Sequence, residues 1–131
     1  MTEAQIALAR RAVAAPGWRW LPGMLLIDDD GIPVRFVVEL GTHALGVVQG
    51  GGHPAWRKPL PIVAFPVLTD AATLGCLLAL VRERWKMPHL TVTRKNRWWT
   101  YRECAGVGLE LHRICAPTET EALIAALEVA P

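Results

Sequence analysis

The sequence lacks any apolar stretch long enough to cross a membrane. Its longest apolar run, Ala71–Val81, lies between Asp70 and Arg82 and is far shorter than the ~20 residues that a bilayer span requires. The first residues include Glu3 and an arginine pair, with no basic segment leading into an apolar one, so they do not resemble a secretory signal. We therefore expect a cytoplasmic protein that has no membrane partner.

Metal-ligand spacing is also missing. The sequence has three cysteines and no C-x-x-C pair, and an odd cysteine count argues against a disulfide framework. Structural zinc needs four ligands at suitable spacing, which the available cysteines and histidines do not offer. The candidates are Cys76, Cys104, Cys115, His43, His53 and His112. We expect reduced thiols, no metal and no cofactor.

Catalytic and nucleotide motifs are incomplete. The glycines of QGGGH, residues 49–53, are not followed by the G-K-[ST] ending of a phosphate-binding loop. His53 could act as a base on a flexible loop, which leaves a small enzyme as one alternative, but no carboxylate or nucleophile stands beside it. The sequence therefore favours a protein that is not an enzyme and has no catalytic residues.

The composition is that of a folded globule. At 131 residues the chain suits one compact domain over residues 1–131, and 52% hydrophobic with 20% charged residues is far from the composition of disordered chains. Residues 41–67 depart from the rest because they are rich in glycine and proline. We expect this segment to be irregular, with ALGVV and PIVAF each adding a short edge strand.

Three helices are predicted from capping patterns and apolar spacing. Thr2 with Gln5, and Thr118 with Glu121, form capping boxes, and Asp70 caps a helix that extends to about Lys86. The residues expected to point inward are Ile6, Ala9 and Val13 in the first helix, Leu74, Leu77, Leu78, Val81 and Trp85 in the second, and Leu123, Ile124 and Leu127 in the third.

The alternating apolar patterns in the sequence predict strands that form a small antiparallel sheet. MLLIDDDGIPVRFVVEL indicates a hairpin with its turn at residues 28–31 and with Val34, Phe36, Val38 and Leu40 alternating on the returning strand. A three-strand meander follows the second helix, and GVGLELHRI, residues 106–114, is its last strand. The predicted fold class is α+β, a hairpin plus a meander with three helices.

TRKNRWWTYR, residues 93–102, is the most unusual stretch. From residue 82 to 102 there are seven cations and one carboxylate, a net charge of +6 in a chain whose total is +2. A turn at Lys95-Asn96 would pair Thr93 with Trp98 and place Trp99 in the core with Trp98 exposed. The segment is then a nucleic-acid surface, a protein interface or a solvated hairpin tip.

The candidate partner-binding residues are the cations of this region together with the exposed tryptophan. They are Arg94, Lys95, Arg97, Trp98, Arg102, Arg82, Arg84 and Lys86. A second aromatic cluster, PGWRWLPGM at residues 16–24, contributes Trp18 and Trp20 as secondary candidates if they are exposed, although the favoured interpretation is a loop folded over the core with the two indoles covering it.

Three segments resemble a group of small accessory proteins of tailed phages and prophages. These are PGWRWLPGM, LTDAATLGCLLALVRE and TETEALIAALE, which together cover about half of the chain. The resemblance implies a non-enzymatic protein in a bacterial host cell that binds a host protein or nucleoprotein complex, such as an anti-CRISPR inhibitor of bacterial immunity. Residues 41–67 depart from that group. Weak nucleic-acid binding through residues 93–102 is the alternative, and the oligomeric state stays open.

Overall fold

A computed structural model describes residues 1–27, 31–40, 43–48, 56–59, 64–95, 98–103 and 116–131. Within these residues the chain forms three helices and seven strands, which confirms the α+β prediction. In chain order they are α1 (Glu3–Ala14), β1 (Leu25–Ile27), β2 (Pro33–Leu40), β3 (His43–Val48), β4 (Trp56–Pro59), β5 (Phe65–Pro66), α2 (Ala71–Trp85), β6 (Leu90–Lys95), β7 (Trp98–Glu103) and α3 (Glu119–Glu128).

The chain divides into two compact units. The first unit comprises residues 1–13 and 19–76, and the second comprises residues 14–18 and 77–131. The first contains an antiparallel five-stranded sheet in the order β4-β3-β2-β1-β5, and the second contains the two-stranded ribbon β6-β7. The expectation of one domain stays a prediction.

The hairpin β1-β2 organises the core of the first unit. Leu26 pairs with Val34, and Gly31 at the predicted turn has a φ of +78°, which glycine adopts at little cost. Val34 and Phe36 are buried together with Leu26, as the alternating pattern predicts, whereas the side chains of Val38 and Leu40 lie outside the described ones and their part of the pattern stays a prediction. A bulge in β2 between Phe36 and Val38 interrupts the pairing with β3.

The structure of residues 41–67 differs in part from the expectation. β3 pairs with β2 on one side and with β4 on the other, so it lies inside the sheet and the prediction of an edge strand there was wrong. β4 was not anticipated, because Pro59 and the cations Arg57 and Lys58 argue against a strand. β5 does lie at the edge, beside β1.

Helix α1 begins at the predicted capping box. Thr2 N–H donates to Gln5 Oε1 at 2.8 Å and Gln5 N–H donates to Thr2 Oγ1 at 3.2 Å. Ala9 is buried as expected, but Val13 is 39% exposed and Ala12 is buried in its place. The next buried residue after Ala9 is therefore Ala12, three positions further along the helix. The expectation that Val13 points inward was wrong.

In the second unit, α3 packs against β6 and β7. Its Thr118–Glu121 capping box is present, and Leu123, Ile124 and Leu127 are buried as predicted. Trp85 Nε1 donates to the Ala126 carbonyl at 2.9 Å and thereby fixes the end of α2 to α3. The expected last strand of the meander, residues 106–114, lies outside the described residues.

Candidate partner-binding site

The last turn of α2 carries two of the predicted cations, Arg82 and Arg84, and the helix ends in a Schellman motif at Lys86. Met87 N–H donates to the Arg82 carbonyl at 2.9 Å, and Lys86 N–H donates to the Glu83 carbonyl at 3.2 Å. Lys86 occupies the residue after the helix cap with a φ of +54°. Its side chain is exposed. This position usually holds glycine, because a Cβ is strained at positive φ.

Arg82 is tied into the fold. Its Nε donates to the Leu90 carbonyl at 2.9 Å, which joins the end of α2 to the first residue of β6. The residue is half-buried, whereas Leu90 is 0% exposed. Arg82 therefore positions the start of the ribbon, and its role in binding a partner stays a prediction.

Arg84 lies across the turn at Gly17. A Cβ at position 17 would meet Arg84 Cδ at 2.5 Å and Arg84 Nε at 2.9 Å, and Gly17 has a φ of +80°. Arg84 is half-buried, and its Nε has no hydrogen-bond partner among the described atoms. This arginine thus packs against backbone that only glycine can supply.

The ribbon β6-β7 pairs two residues further toward its tip than predicted. Thr93 pairs with Thr100 rather than with Trp98, and the outermost pair is Lys95 with Trp98. The predicted register was therefore wrong. The observed register forms a longer ladder, in which more backbone N–H and C=O groups make hydrogen bonds. A shift of two residues preserves the faces, since side chains alternate with a period of two.

The corrected register defines two faces of the ribbon. The first face contains the alternate β6 positions Leu90, Val92 and Arg94. On this face Arg94 pairs with Trp99. The second, which we call the polar face, comprises Thr91, Thr93, Lys95, Trp98, Thr100 and Arg102. Leu90 is buried while Thr93 and Arg94 are exposed, so exposure increases along β6 from Leu90 to Arg94.

Some predicted site residues fall outside this description. Residue 97 lies outside the described part of the chain, and side chains are not described for residues 95 and 98–103. The expectation that Trp99 is buried and Trp98 exposed therefore stays a prediction, as does a contact role for Arg97.

The secondary aromatic candidates are half-buried. Trp20 packs against the cluster of Leu26, Val34 and Phe36, and its ring centroid lies 6.5 Å from that of Phe36 at an interplanar angle of 42°. Trp18 N–H donates to the Ala15 carbonyl at 3.1 Å in the turn that contains Gly17. The geometry of Trp20 agrees with the alternative of a loop covering the core.

Sequence reasoning missed an ion pair at the start of α2. Arg35 NH1 and NH2 each donate to one carboxylate oxygen of Asp70 at 3.0 Å, and NH1 also donates to the Gly23 carbonyl at 2.6 Å. Asp70 also caps the helix, as predicted, because Oδ2 accepts from Thr73 N–H at 2.9 Å. Arg35 lies between the buried residues Val34 and Phe36 of β2. In the sequence, a single cation among alternating apolar residues does not indicate which residue it will pair with.

These hydrogen bonds determine the charge state of the pair. The hydrogen bond from Arg35 is the largest cause that lowers the pKa of Asp70 from 3.8 to about 2, followed by the hydrogen bonds from Thr73, while burial opposes the shift. The same hydrogen bond raises the pKa of Arg35. Both groups are therefore charged at neutral pH and hold β2 to the helix start.

Cys76 has the properties of a structural thiol. Its Sγ donates to the Pro22 carbonyl at 3.6 Å. Burial raises the pKa of the Cys76 thiol, with a further contribution from the Asp70 charge. A raised pKa reduces the thiolate fraction at neutral pH, and the thiolate is the nucleophilic form. The surroundings of Cys76 do not favour nucleophilic chemistry.

No three His, Cys, Asp or Glu side chains come together as a metal site in the part of the chain that the structure describes. Residues 53, 104, 112 and 115 lie outside that part, so the expectation of no metal stays a prediction. Among the described residues, no helix has the length and apolar character to span a bilayer.

Comparisons of this chain with protein-family models, with curated proteins and with solved structures found no match. The resemblance to phage accessory proteins therefore stays a prediction.

Proposed function

We propose that this chain is a non-enzymatic accessory protein of the phage type that occupies a surface of a macromolecular host partner. The contact surface comprises the turn end of the ribbon β6-β7 and the exposed Lys86 at the end of α2. Its residues are Arg94, Lys95, Arg97, Trp98, Arg102 and Lys86, with Arg82 and Arg84 beside them.

The corrected ribbon register is the observation that supports this proposal most. It pairs Lys95 with Trp98 and Thr91 with Arg102, so a tryptophan position and two cationic positions share the polar face with three threonines. Arg94, on the other face, is exposed near the same end. The opposite end is anchored by the buried Leu90 and by the hydrogen bond from Arg82.

Such a surface suits an acidic partner. Cations at the rim of an interface accelerate encounter with a negatively charged surface, and tryptophan and arginine are enriched among residues that dominate binding energy. A host protein or nucleoprotein complex with an acidic or phosphate-rich surface fits this chemistry. Inhibition of bacterial immunity, as by an anti-CRISPR protein, is the function we propose within this class.

The test is capture of partners from a bacterial host lysate with the immobilised protein. We expect the Arg94→Glu/Arg97→Glu variant to lose capture and to associate more than tenfold more slowly with a recovered partner at low salt. The matched control is Arg10→Glu/Arg11→Glu, which reverses two exposed arginines on α1 and changes the net charge equally. Equal capture by wild type and by the ribbon variant would place the interface elsewhere.

The second candidate function is binding of single-stranded nucleic acid. Pairing of Lys95 with Trp98 on a face rich in threonine supports it, because aromatic platforms beside cations stack bases and contact phosphates. Nuclease treatment of the lysate separates the two candidates. A partner that is retained after treatment is bound as protein, whereas loss of capture favours nucleic acid.

A further inference from the structure

We draw no further inference here: the strongest candidate, the exposed face of α2 that carries the small residues Ala72, Gly75 and Ala79, is a stripe of small residues alone, and nothing in the part of the chain that the structure describes shows what covers it.

Discussion

Substitution of Asp70 by asparagine should lower the stability of the protein at neutral pH and remove a defined part of its acid sensitivity. Asparagine keeps an oxygen that can accept from Thr73 N–H, but it loses the charge that Arg35 binds with two hydrogen bonds. The Asp70 side chain is 17% exposed and that of Arg35 is 31% exposed, so solvent screens the pair only in part.

The magnitude follows from the pKa of Asp70. In the folded protein this pKa is lowered from 3.8 to about 2. Since one pKa unit corresponds to about 1.36 kcal/mol, ionisation of Asp70, held by Arg35 first and by Thr73 second, contributes about 2 kcal/mol to the free energy of unfolding. Because the folded-state pKa is depressed, this contribution is fully present above about pH 4 and is lost as the pH falls toward about 2.

The assay is urea unfolding of wild type and Asp70→Asn between pH 7 and pH 2. We expect a difference of about 2 kcal/mol at pH 7 that shrinks toward zero near pH 2, because the variant cannot lose a charge that it lacks. Glu3→Gln, at an exposed position in the first turn of α1, should change stability by less than about 0.5 kcal/mol. A difference that stays constant across this pH range would refute the reasoning.

Two further predictions concern Gly17 and metal. Gly17→Ala should destabilise the protein by about 1 to 3 kcal/mol, because alanine is strained at a φ of +80° and the half-buried Arg84 side chain must also move away from the new Cβ. Gly31→Ala, with a φ of +78° and no described atom within 4 Å, should cost about 1 kcal/mol. Equal losses in denaturant unfolding would contradict the contact with Arg84. A chelator should leave the melting temperature unchanged, and a drop of several degrees with stoichiometric zinc by elemental analysis would overturn the expectation of no metal.

Local patterns predicted the helices well because their signals lie within a few residues of each other. Two capping boxes and the Asp70 cap located the starts of all three predicted helices, and the apolar spacing located the buried residues of α3. Strand pairing depends on hydrogen bonds between segments far apart in sequence. The interior place of β3 and the existence of β4 were therefore not predictable from glycine and proline content.

The sequence predicted which residues make up the candidate site, but it did not predict how they are arranged. Charge counting located the cationic region, and alternation gave the correct faces of the ribbon even though the register was wrong by two residues. What a sequence cannot reveal is which cations the fold itself uses. Arg35, which received no role from the sequence, binds Asp70, and Arg82 binds a backbone carbonyl.

Some cations of the candidate surface contact the rest of the fold and others face solvent. The binding proposal makes different predictions for the two groups. Arg82 and Arg84 are half-buried against backbone, so their removal should destabilise the second unit and lower binding only as a consequence. Lys86 and Arg94 are exposed, so their removal should leave the fold intact and act on binding alone. Because charge alone does not distinguish these two groups, a variant series that separates stability from affinity tests the interface more directly than total charge does.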